Sequence, residues 1–194
     1  MKRIITFNLV LLLVCGVSIA AKAQEGTKTL DKEPLYNFSP AFEFLRSTHS
    51  NYFNGPSLKV TRNFGSNFKP GIGIGYATTD KHPDNGYVLY KMKLIPVYAN
   101  LTYDIPTKSK FEPFAETSIG ISFVKYDRAT DEQPLITTRI NETGLYVYGG
   151  FGLRYAVTKR IAPYIAAGFK GYHMSTNDLD INPHGITFQA GIRF

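Results

Sequence analysis

The sequence holds one cysteine, Cys15, and no tryptophan in 194 residues. A lone cysteine excludes a disulfide framework and any zinc site built from cysteines. No segment of useful length carries a helical hydrophobic period, which leaves strands as the regular structure. Beyond the first two dozen residues there is no apolar run long enough to cross a membrane as a helix. There is also no basic run interleaved with aromatics, so nucleic-acid binding is set aside. What the chain does have is 13 Tyr, 14 Phe and 17 Gly, distributed in a regular way.

The start reads as an export address. Met1-Lys2-Arg3 is basic, Ile4 to Ala20 is mostly apolar and uncharged, and Ala21-Lys22-Ala23 puts small residues at the −3 and −1 positions before Gln24. That is the pattern of a secretory signal peptide over residues 1–23 with an A-x-A cleavage site. An uncleaved anchor would not need the small-x-small ending. Val14 before Cys15 disfavours a lipoprotein site. Loss of Lys2, Arg3 and Lys22 with the peptide brings the formal charge from +7 to +4, so the basic character belongs partly to the address. Residues 24–37 are polar and aperiodic and are expected to form a flexible lead.

From residue 38 to 194 the chain divides into eight strand-like segments, near 38–47, 56–64, 69–78, 91–104, 111–125, 142–156, 161–173 and 185–194. The last alternates cleanly, with Ile186, Phe188, Ala190, Ile192 and Phe194 on one face and Thr187, Gln189, Gly191 and Arg193 on the other. The sixth sets Leu145, Val147, Phe151, Leu153 and Tyr155 against Tyr146, Tyr148 and Arg154. Segments three to five behave alike, whereas in the second Arg62 sits awkwardly if Leu58 and Val60 face outward. Connections are short after segments two, four and six (65–68, 105–110, 157–160) and longer after one, three, five and seven (48–55, 79–90, 126–141, 174–184). Alternating segments of about ten residues, with short turns at one end and long loops at the other, form the transmembrane-barrel signature. Backbone groups left unpaired in lipid cost several kcal/mol each, so such a sheet must close. The expectation is all-β, an eight-stranded antiparallel up-and-down transmembrane β-barrel with both termini on the short-turn side.

A soluble, exported, ligand-binding barrel would alternate in the same way with its faces exchanged. The polar face, however, carries Glu43, Lys59, Glu112, Glu116, Arg154, Lys170 and Arg193, too many charges for an apolar ligand cup. The opposite face has Tyr76, Tyr103 and Tyr155 toward its ends, as interfacial girdles require. An eight-stranded lumen is just filled by side chains. Inward glycines are expected opposite Tyr146 and Tyr148, and Glu43, Glu112 and Glu116 are expected to pair with Lys59, Lys170, Arg154 or Arg193, because buried charges are costly unless paired.

The signal peptide, the eight-strand meander and the closing Gly191-Ile192-Arg193-Phe194 resemble the small outer-membrane β-barrel domain family of Gram-negative bacteria. The resemblance covers residues 36–194. It implies residence in the outer membrane and insertion by the barrel-assembly machinery, which reads a last strand ending in an aromatic residue. Phe188, Ala190, Ile192 and Phe194 fit that pattern. A monomer whose four outer loops contact lipopolysaccharide or other partners is the expected form, with no cofactor or metal.

One constellation points to chemistry. His173-Met174-Ser175 is similar to the H-x-S motif of the outer-membrane lipid A deacylases, eight-stranded barrels with a lipid-facing site. The resemblance implies His173 as base and Ser175 as nucleophile. Thr187 stands where that family has its glutamate, and Thr176 replaces the asparagine after the serine, so the triad lacks its acid. Asn177-Asp178-Leu179-Asp180-Ile181-Asn182 has part of a calcium-loop spacing without the central glycine or the distal glutamate. It is expected to be a solvated loop. His49, His82 and His184 form no ligand spacing, and Asp80, His82, Asp84 and Asn85 read as turn chemistry around Asn85-Gly86.

Overall fold

The computed structural model describes residues 34–48, 51–65, 67–84, 86–130, 133–174 and 182–194. The expected signal peptide, most of the expected lead, Ser175 and the loop 177–181 lie outside them. Nine antiparallel strands make up the fold: β1 Tyr36–Ser47, β2 Tyr52–Arg62, β3 Phe68–Gly75, β4 Ala77–Asp84, β5 Tyr87–Asp104, β6 Phe111–Thr130, β7 Gln133–Tyr155, β8 Ala162–Met174 and β9 His184–Arg193. β3 and β4 are consecutive pieces of one stave, since both pair with β5 and the break falls at Tyr76. The staves are therefore eight, each paired with its neighbour in sequence.

The sheet closes on itself. β1 pairs with β2 from Tyr36↔Arg62 to Arg46↔Tyr52, and with β9 from Ala41↔Gly191 to Ser47↔Gly185. At the seam Phe38 and Phe194 exchange backbone hydrogen bonds of 3.0 and 2.8 Å. No edge is left between first and last strand, which is the condition for a sheet in hydrocarbon.

Register decides which face looks out, because a period-2 strand has only two choices. Ile72, Phe151 and Ile165 are 68%, 71% and 65% exposed, and Phe44, Ile119, Ile121, Phe169, Ile186 and Phe188 are exposed with them. On β7 the outward apolar run from Leu145 to Tyr155 spans about 25 Å along the barrel axis at ordinary strand rise and tilt. The soluble ligand-binding barrel is thereby excluded, since it would hold these side chains inside. Aromatic pairs Phe68–Tyr103 (ring centroids 4.7 Å apart) and Phe111–Tyr155 (5.1 Å) lie near the short turns. Arg62 does face outward at that end, with its guanidinium 4.7 Å from the Phe64 ring and 5.8 Å from Tyr36. A long side chain at the edge of the apolar band can keep its charge in the interface, which accommodates the arginine.

Four boundaries differ from the sequence reading. The barrel begins at Tyr36 rather than 38, and β2 begins at Tyr52, so the first connection shrinks. Most of the expected loops 79–90 and 126–141 are strand: β4–β5 and β6–β7 are long hairpins, and Tyr87↔Thr130 pairing joins them. Asp80, His82 and Asp84 therefore belong to β4. His82 is fully buried, its Nδ1 2.8 Å from Asn51 Nδ2 and its ring 5.7 Å from Phe53. Simple alternation failed here because β5 carries a bulge between Tyr90 and Lys93, with Lys91 at φ 53°. The extra residue shifts the face phase, so Leu89, Met92 and Leu94 all turn inward. The turn at Gly86 (φ 81°) stands as read, closing Asp84 onto Tyr87.

Candidate functional site: the lumen and the outer rim

The lumen is layered. Nearest the short turns, Asp104 accepts from Lys69 at 2.7 Å and from the Arg154 guanidinium, and Glu112 lies 3.4 Å from Arg193 and 3.9 Å from Arg154. One level up, Lys59 Nζ donates to Glu116 Oε2 at 2.5 Å, and Lys170 donates to Glu43. Gln189 donates to Glu116 and, at 2.9 Å, to the Tyr148 hydroxyl. At this level the inward faces of β1, β2, β6, β8 and β9 thus supply Glu43, Lys59, Glu116 and Lys170 each with an opposite charge. The seven charged positions singled out in the sequence all lie on this face. Asp104 and Lys69 were not among them, yet both sit at inward parity, with Asn100 and Thr102 on β5 and with Gly71 and Gly73 on β3.

Above the ion pairs the character changes. Tyr98, Tyr146 and Tyr172 pack in a row as tilted rings with centroids 5.0 and 5.3 Å apart, and Lys170 Nζ lies 5.8 Å from the Tyr146 ring centroid. Beyond them, Leu45, Phe53, Leu89, Met92, Leu94, Val124, Tyr126 and Met174 form one buried apolar cluster. The narrow bore forces small residues opposite large ones. A Cβ on Gly73 would come within 2.4 Å of the Tyr98 ring. Among the described residues, two cavities in the charged half, of about 30 and about 10 Å³, have room for water and little else.

At the long-hairpin end, β6 and β7 carry a small electrostatic cluster. Arg139 donates to Asp127 through two hydrogen bonds of 2.8 and 3.2 Å, and this holds the Asp127 carboxyl below its usual range. Burial pushes the Glu142 carboxyl above the usual range, against the opposing pull of Tyr126 and Arg128.

The esterase reading requires His173, Ser175 and an acid on one face. His173 is exposed on the outer wall beside its β7 partner Leu145. Thr187 is 1% exposed in the lumen, where its hydroxyl donates to the Phe44 carbonyl at 2.9 Å. The position that would carry the acid therefore points away from His173. Ser175 lies outside the described residues, as does most of the candidate calcium loop. Asn182, at the end of that loop, accepts from the Met174 amide at 2.9 Å.

The family model described as outer membrane protein beta-barrel domain matches residues 9–194. Among solved structures, a major outer membrane protein from Thermus thermophilus aligns with a TM-score of 0.59 at 12% identity, covering 83% of this chain and 99% of that one. Neisserial surface protein A aligns at 0.54 with 14% identity, covering 81% and 94%. The N-terminal β-barrel domain of Pseudomonas aeruginosa OprF aligns at 0.51 with 14% identity, covering 84% and 100%. No curated protein sequence matches. At these identities the structural likeness speaks to the fold alone.

Proposed function

From the premise that this chain belongs to the outer-membrane β-barrel domain family, we propose that it is a non-enzymatic, monomeric barrel with a structural or surface-interaction role. Its signal peptide is removed, both termini are periplasmic, and the β4–β5 and β6–β7 hairpins reach outside to meet lipopolysaccharide or protein partners. The outward-facing Phe188 and Ala190, followed by Ile192 and Phe194, support recognition of β9 by the barrel-assembly machinery. The observation that carries the reading is the filled lumen. An ion-paired layer beneath an apolar layer, with water-sized cavities, offers solutes no wide path. The inward placement of Thr187 supports the absence of a lipid A hydrolase.

Two measurements test this on purified protein. Planar-bilayer recording should show no large, stable conductance. Mass spectra of lipid A incubated with wild type and with Ser175→Ala should be the same, with all acyl chains retained. A persistent large conductance would return the barrel to the porins. Acyl loss that depends on Ser175 would establish the esterase.

A further inference from the structure

We propose that Lys91, Lys93, Lys125 and Arg139, on the outer wall of β5–β7, form a binding site for the phosphate groups of the outer-leaflet glycolipid. The proposal deepens the surface reading above and rests on it, since it takes the long-hairpin end as the outside.

Three observations converge. Lys93 and Lys125 are directly opposed across β5 and β6, and both are exposed on the same face. Like charges set opposite one another weaken a strand pair unless something neutralises them. Among the described residues neither lysine forms an ion pair; the charge of Asp127 reaches Lys91 and Lys125, but its oxygens are engaged by Arg139. The two lysines also follow directly on the apolar band. Lys93 is two residues along the outward face from Ile95, and Lys125 two residues from Phe123. One outward step is about 7 Å of strand, so the ammonium groups lie at headgroup depth. Finally, Lys91 is exposed two residues along β5 from Lys93, adding a third cation beside the opposed pair.

An acyl-tailed phosphate meets all three conditions. Its tails lie along Ile95, Val97, Ile121 and Phe123 while its oxygens accept from the lysines and from the outer edge of Arg139. A neutral sugar would leave the opposed lysines uncompensated.

The test uses the full mature barrel in phosphatidylcholine nanodiscs doped with bisphosphorylated lipid A or with the same lipid A stripped of phosphate. Lipid retained on the released protein is counted by native mass spectrometry. Wild type should favour the phosphorylated form on the order of tenfold, the scale expected for lysines at an anionic surface. Lys93→Gln with Lys125→Gln should lose the preference, Lys93→Arg with Lys125→Arg should keep it, and Lys108→Gln with Lys110→Gln at the short-turn end should leave it unchanged. Equal retention of the two lipids by wild type, or an unaltered preference in the glutamine pair, would overturn the proposal. So would stripping of the lipid by inorganic phosphate, which would make this a site for free anions. Insertion into lipid-A-free bilayers is scored separately. Its failure would strike the membrane reading, whereas an inserted barrel without phosphate preference would strike only the site.

Discussion

The two halves of the lumen share strands, and on β6 and β8 a single parity runs through both, yet one is ionic and the other apolar. On β8 the inward series runs from Lys170 to Tyr172 and Met174, and on β6 from Glu116 and Ser118 to Val124 and Tyr126. The surroundings account for the difference. Where lipid wraps the wall, apolar side chains are already at home outside, and the lumen can hold polar groups provided they pair. Where the hairpins rise past Lys93 and Lys125 into water, the wall turns polar and burial inside becomes the stabilising option. The molecule changes from an inside-out protein to an ordinary one within a single row of residues.

The comparison can be broken most forcefully at Lys59. Lys59→Met leaves Glu116 charged and buried without its cation, and should destabilise the barrel by about 3–5 kcal/mol. Lys59→Met with Glu116→Leu should recover most of that loss in urea unfolding from vesicles. If the double variant is no better than the single one, the ionic half is not organised by pairing. In the apolar half, Leu89→Ala should cost about 3 kcal/mol through the cavity it leaves, with no rescue by altering any charge. An effect below about 1 kcal/mol would mean the apolar half is loosely packed, since measured leucine truncations in cores run well above that.

The smallest effect separates the β6–β7 hairpin from both halves. Glu142 has a raised pKa, so its ionised form opposes folding. The β6–β7 hairpin should gain stability as pH falls through that raised value, and the gain should be complete below the ordinary 4.5. Asp127 is lowered, so its bond to Arg139 contributes above the ordinary 3.8 and is lost as pH falls further through its folded value. Amide exchange near Tyr126 and Ile140 should therefore slow on mild acidification and quicken in strong acid. Glu142→Gln should abolish the first change and leave the second.

Much of the wall was legible because the membrane enforces strict alternation over ten residues at a time. Every residue of the outward run on β7 and of the closing run on β9 could be assigned from parity. The same parity placed Glu43, Lys59, Glu116 and Lys170 inside, and set Asp104 on the polar face with Tyr98, Asn100 and Thr102 although it was not counted among the interior charges; Lys69 shares the parity of Gly71 and Gly73 and was passed over. The hairpins escaped because their pattern is interrupted. Tyr87-Val88-Leu89-Tyr90-Lys91-Met92 reads as polar–apolar noise until a bulge is allowed. The acid position of the esterase motif escaped for the opposite reason. Spacing along the chain matched a family, while parity had already put Thr187 on the other face from His173.

Local sequence determined that this chain makes strands, where most of them lie, and which side chains share a face, because a pleat has a period of two and lipid tolerates no compromise. Which cation meets which carboxylate was left to the tertiary structure, as were the split at Tyr76, the bulge at Lys91 and the meeting of two lysines above the apolar band. Those depend on stagger between strands distant in sequence, and stagger is set only when the cylinder closes and its narrow bore must be filled.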